Sequence, residues 1–239
     1  PLLPKFSELI NKNKDQQLNK ILIKSIEYCL LATFFLTGFF ICFKDLLVDL
    51  VFQRGAFNIQ SAFLVKNILI AYALGLPAYL FRDLLIRIYY SIEETSLPFN
   101  LSIYGIGLNF LCDWMLIGAP IPNSGNLLPF NFGVVGLVIS SGIVNFIICI
   151  ILSIRLEIFI KPLPHIILIR KTLLISIACI FSIIISYNII NFYDPSLTGF
   201  IKVFMICMGS IIYFCLYFLL TKFFKVNKIE LNFKNKSFK

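Results

Sequence analysis

The sequence predicts an all-α membrane protein with six transmembrane helices, and three observations carry that prediction. Six uncharged, mostly apolar runs occupy residues 28–43, 67–81, 95–112, 114–154, 172–193 and 203–221, with short polar breaks between them. Hydrophobic residues make up 59% of the 239 and charged residues 14%, and mean hydropathy is +0.91; soluble domains run at about half apolar and a quarter charged. The cations are also unevenly distributed. With a cytoplasmic N-terminus, only Lys44, Arg54, Lys66 and Lys202 of the 21 Lys and Arg fall outside, which is the asymmetry of a positive-inside protein with both ends in the cytoplasm.

A spanning helix needs about 20 apolar residues, because the hydrocarbon layer is about 30 Å thick and a helix rises about 1.5 Å per residue. The first two runs fall short, so flanking groups such as Lys24 and Arg82 are expected to reach out to the headgroups. Residues 44–55 put Leu46, Leu47, Leu50 and Val51 on one helical face and Asp45 and Asp49 on another. That pattern predicts a short helix lying in the interface and stopped by Gly55. The second run contains Gly75-Leu76-Pro77. Proline deletes a backbone hydrogen bond and crowds the preceding turn, so a kink is predicted at 74–77. Gly75 and Pro77 become hinge candidates, since broken helices often mark the moving or substrate-lining parts of transporters. The third run is a full span that ends at Asp113-Trp114, with the indole as an interfacial anchor. The fourth is too long for one span; Pro120, Pro122, Gly125 and Pro129 break it and leave 132–154 to cross. The fifth and sixth meet the required length.

Polar groups inside the spans are few. Glu27 is expected to be neutralised locally by Lys24, three residues earlier. Asp83 and Arg87 are four apart and are expected to pair on one helix face, leaving Arg82 for a headgroup or an anionic substrate. Asn109, Asn145, Asn188, Gly136 and Ser140 read as helix-packing positions. The seven cysteines all lie in or beside apolar runs without a CxxC pair, and His165 is the single histidine. Metal binding and a disulfide framework are therefore disfavoured. No nucleophile–base pair or glycine-rich phosphate loop is present, so neither catalysis nor a cofactor is expected. The +9 charge collects partly in the tail at 223–239, which suits anionic lipid rather than nucleic acid. A soluble bundle is excluded because 239 residues cannot cover six buried helices, and a β-barrel because no run alternates with period two.

Several segments resemble the lipid II flippase family (MurJ, also called MviN). Phe52-Gln53-Arg54-Gly55-Ala56-Phe57 resembles that family's F-x-R-G-x-F element, with Arg54, Gly55 and Phe57 at the matching positions. Residues 89–99, YYSIEETSLPF, resemble its FYALGDTKTPF-like cytoplasmic connection: Tyr90, Thr95 and Pro98 match, Glu94 stands where Asp is usual, and Leu97 departs from the usual Thr. Asn109 matches the Asn of the following helix, and residues 1–20 look like the P-x-x-S segment joining the eighth and ninth spans.

The resemblance implies the last six of fourteen spans of a two-lobed polytopic transporter. Residues 1–19 are then a cytoplasmic connecting segment, and 20–158 the four-helix part of the second lobe. Residues 159–222 are two additional C-terminal helices, and 223–239 a basic cytoplasmic tail. The implied activity is flipping of lipid-linked peptidoglycan precursor (lipid II) across a bacterial cytoplasmic membrane by alternating access. The implied partners are the polyprenyl-pyrophosphate-linked saccharide, membrane lipids and an N-terminal lobe lying upstream. The additional helices are implied to form a groove for the polyprenyl tail. Main headgroup-binding cations belong upstream, leaving Arg82 and Arg87 as accessory substrate contacts. The alternative is an exporter of another lipid-linked oligosaccharide, or a non-transporting relative.

Overall fold

The computed structural model describes residues 15–52, 58–118, 130–156, 165–190 and 199–224. They form six helices: α1 (Asp15–Phe52), α2 (Ile59–Ser91), α3 (Ser96–Ile117), α4 (Val134–Leu156), α5 (His165–Ile190) and α6 (Gly199–Phe223). All six are long and apolar enough to cross a membrane. The expected count holds, but the first helix differs from its prediction. Residues 44–52 form no separate interfacial helix; they continue α1 without a break. The reason is local, since neither Gly nor Pro occurs between 39 and 52 to interrupt it. Asp45 and Asp49, one turn apart, both pair with Lys66 of α2 at 3.1 and 3.0 Å, which fixes the extension against its neighbour. Lys44 bridges Asp45 at 2.8 Å and lies over the Tyr187 ring of α5.

The helix ends follow capping rules. Asn58 caps α2 by accepting the Ser61 N–H at 2.8 Å. Between α2 and α3 the chain reverses through Glu93, whose φ of 63° is the left-handed conformation usually given to glycine. Glu94 then accepts the Leu97 N–H at 3.2 Å, satisfying a first-turn amide of α3 that the N-cap residue Thr95 leaves open. Pro98 sits in the first turn of α3, where its missing N–H leaves nothing unpaired. Gly118, at φ 84°, ends that helix.

α1 packs against α2, α5 and α6, while α4 packs against α2 and α3. The main core gathers Leu22, Ile26, Leu85, Ile88, Leu152 and Ile175. Two small residues set close approaches. A methyl on Gly136 would lie 2.6 Å from the Leu116 carbonyl oxygen, so α3 and α4 meet backbone to backbone there. Gly38 leaves the notch that holds the Tyr213 hydroxyl and the Cys179 thiol. Around it, side chains of the last two helices bond to main-chain carbonyls of α1: Tyr217 to Leu31 at 2.9 Å, Tyr213 to Phe35 at 3.1 Å and Cys179 to Phe34 at 3.2 Å. The outward faces are apolar, as a lipid solvent requires, and on α3 only Pro98 and Gly105 are buried.

Candidate functional site

The polar chemistry of this bundle collects at three places, and the first centres on Arg82. Its Nη1 donates to Asn145 Oδ1 of α4, and its Nη2 bridges Asp83 at 3.1 Å. Its Nε is buried and finds no partner among the described residues. Two expectations are corrected here. Asp83 pairs with Arg82 rather than Arg87, and Arg82 is held between α2 and α4 rather than standing free. The cause is the α2–α4 contact, which brings a side-chain amide within reach of the guanidinium fork. Arg87, one turn further on, is exposed.

Beside this cluster runs an apolar groove of about 440 Å³. Leu30 and Phe34 of α1, Pro77 and Phe81 of α2, Phe146 of α4 and Leu173 of α5 are among its walls. Phe81 adjoins Arg82 in the chain, and Phe146 adjoins Asn145, so the Arg82–Asp83–Asn145 group and the groove share two neighbouring turns. A second cavity of about 780 Å³ lies between α2 and α4, with Asn67, Gly75 and Gly142 among its lining. Gly75 faces Gly142 closely, a methyl there reaching 3.7 Å from the other's Cα. Pro77 lies inside α2 without ending it. The Ala73 carbonyl, four residues before, accepts the Thr37 hydroxyl of α1 at 2.9 Å.

The second place is a buried ion pair. Lys171 Nζ of α5 lies 2.8 Å from Glu27 Oε2 of α1, with side-chain exposures of 5% and 13%. The expected local partner, Lys24, is exposed instead. An exposed lysine gains little from a neighbouring carboxylate in high dielectric, whereas one desolvated by the α1–α5 contact must find its counter-charge there.

The third place is Asp113, expected to be part of an interfacial anchor. Its carboxylate accepts the Ser140 hydroxyl of α4 and, at 3.1 Å, the Asn109 amide one turn back. Asn145 and Ser140 thus bond between helices as expected, while Asn188 bonds only to Ile184 of its own helix. Among the remaining motif positions, Tyr90 is half-exposed beside Thr95 and Phe99. Arg54, Gly55 and Phe57 lie outside the described residues. Sequence reasoning missed Thr37 and Lys171. A lone threonine in an apolar helix carries no signal of its partner, and Lys171, next to Arg170 at the start of an apolar run, reads as one more charge at the membrane edge. Among the described residues, no group of three His, Cys, Asp or Glu side chains is placed to hold a metal ion.

A family model described as lipid II flippase MurJ matches residues 1–209. A protein of Synechocystis sp. named probable lipid II flippase MurJ is 32% identical over 145 residues, covering 61% of this chain and 25% of the relative. A protein of the same name from Rickettsia prowazekii is 28% identical over 108 residues, covering 45% and 21%. A solved structure titled lipid II flippase MurJ, inward closed conformation, superposes with a TM-score of 0.65 at 21% identity, over 94% of this chain and 42% of that one. The chain therefore spans well under half the length of the proteins it matches, and at that identity the superposition speaks for the fold. With six apolar helices in the order of that structure, and a family match covering most of its length, the chain belongs to the lipid II flippase MurJ family.

Proposed function

We propose that this chain forms the C-terminal six spans of a flippase that moves a polyprenyl-pyrophosphate-linked saccharide, lipid II, across the cytoplasmic membrane by alternating access. One observation carries the reading: the guanidinium of Arg82, paired with Asp83 and Asn145, lies next in the chain to Phe81, a wall of an apolar groove formed by α1, α2, α4 and α5. A lipid-linked pyrophosphate has the same two parts, a compact anion and a long hydrocarbon tail. A guanidinium suits the anion because its planar fork grips phosphate oxygens in pairs. The groove suits the tail because apolar walls take hydrocarbon at no polar desolvation. Arg82 contributes as an accessory contact, with Arg87 further along the same helix, and the principal headgroup cations lie upstream in an N-terminal lobe. The tail groove draws on α5 together with three helices of the four-helix part.

Both ends of the segment are placed in the cytoplasm, which the distribution of Lys and Arg supports. Gly75 and Pro77 serve as the hinge of α2, where the proline interrupts the hydrogen-bond ladder and the glycine permits close sliding on Gly142. Pro77→Ala closes the ladder and is expected to reduce transport at unchanged abundance; transport at the parent level removes the hinge.

The test of the whole reading uses bacteria depleted of their own lipid II flippase and supplied with the complete reading frame that carries this chain. Lipid II exposed on the outer leaflet is measured. Restored exposure, lowered by Arg82→Ala, supports the assignment. Absence of exposure from a protein shown to be inserted moves it to another lipid-linked saccharide or to a non-transporting relative.

A further inference from the structure

Pro77 has no N–H, so the Ala73 carbonyl one turn earlier lacks the partner that any other residue at 77 would supply. In a hydrocarbon surrounding an unpaired carbonyl is strongly disfavoured, and a hydroxyl from a neighbouring helix is one of the few remedies. Thr37 is that remedy. It is buried, and its Oγ1 donates to the Ala73 oxygen at 2.9 Å. The other serine and threonine of α1 do something different: Ser25 bonds to Ile21 and Thr33 to Leu30, both carbonyls of their own helix. Thr37 alone of the three reaches across to α2, and it reaches the one carbonyl that the proline has released. On the opposite side the same stretch of α2 is held by α4, through the Gly75–Gly142 contact and a Cys149 thiol that donates to the Ala78 carbonyl at 3.1 Å.

We propose that Thr37 is a positioning residue: by bonding the Ala73 carbonyl it fixes the geometry of the proline break in α2 and so sets how the two halves of that helix move with α1. This rests on the hinge assigned to Gly75 and Pro77, and the test separates the two. The full-length protein is made as parent, Thr37→Val, Thr37→Ser, Pro77→Ala and Thr37→Val with Pro77→Ala. Valine keeps the shape and removes the donor, and serine keeps the donor. Alanine at 77 restores an N–H that can serve the Ala73 carbonyl itself.

The melting temperature of each purified variant is compared with the lipid II it exposes in depleted cells. Thr37→Val is expected to melt about 3 °C lower when Pro77 is present and less than about 1 °C lower when it is replaced. It is also expected to flip several-fold less at equal abundance, with Thr37→Ser at the parent level in both measurements. An equal loss in the two backgrounds overturns the proposal, because Thr37 then acts through something other than the released carbonyl. Parent-level flipping by Thr37→Val overturns it as well. If Thr37→Val fails to accumulate, recovery of abundance in the double variant supports the coupling and its absence refutes it. Should the parent itself flip no lipid II, the proposed activity fails, while the melting cycle still decides whether Thr37 fixes the break.

Discussion

Replacing Lys171 by Met removes one half of the buried Glu27–Lys171 pair and leaves a carboxylate that is 13% exposed with its counter-charge gone. At an effective dielectric of about 20 and a separation near 3 Å, the gross attraction is about 5–6 kcal/mol. Desolvating each ion costs several kcal/mol, so the intact pair adds little net stability. The single variant is a different matter, because the desolvation of Glu27 remains without its compensation, and a loss of about 3–5 kcal/mol is expected. For a chain of this size that corresponds to a melting temperature roughly 10 °C lower. Glu27→Gln is expected to be similarly harmful, since it strands the ammonium, which is only 5% exposed. The double variant Glu27→Gln with Lys171→Met should recover most of the loss. The assay is thermal melting of detergent-solubilised protein, followed by size-exclusion chromatography. A Lys171→Met variant that melts with the parent, or a double variant no better than the sum of the singles, refutes the reasoning and makes the pair an ordinary surface contact.

Glu93→Gly should raise the melting temperature slightly: relief of the left-handed φ of 63° yields about 1–2 kcal/mol, and the added freedom of the unfolded chain returns about 0.5–1, leaving a gain of about 0.5–1 kcal/mol that a melting curve can resolve. Gly136→Ala should lose about 1–3 kcal/mol, because the new methyl meets the Leu116 carbonyl oxygen at 2.6 Å and backbone cannot rotate away; reduced abundance in the membrane is the readout, and parent-level abundance would show that α3 yields. Glu94→Ala removes the acceptor for the Leu97 N–H and should cost about 1 kcal/mol, whereas Glu94→Asp should hold its melting temperature if accepting that N–H is the whole role of this position.

The number and order of the helices were legible because each apolar run is long, and a bilayer tolerates few other solutions. Boundaries were less so. The first run ends at Lys44, yet α1 continues to Phe52, since a charge at the membrane edge need not stop a helix. Polar pairing was read from spacing along one helix, and this failed at Glu27 and at Asp83. Both errors have one cause: partners were sought three or four residues away, while Glu27 meets Lys171 on another helix, and Arg82, held to Asn145, turns its other nitrogen to Asp83. The proline inside α2 was visible as a motif, but the hydroxyl that answers the carbonyl it releases was not, because nothing in the sequence pairs Thr37 with Ala73.

The central place of α1 has a consequence for biosynthesis. Glu27 precedes Lys171 by 144 residues, and Leu31 precedes Tyr217 by 186. At about 5–20 residues per second, the first helix waits roughly 7–30 s for the ammonium that neutralises its carboxylate, and longer for the tyrosines that fill its notch. During that interval α2 and α4 can assemble, but the opposite flank of α1 faces lipid with a charge and a groove at Gly38. The flank of α1 that α5 and α6 cover is therefore completed last, and a ribosome that stalls before α5 leaves Glu27 without the ammonium that neutralises it.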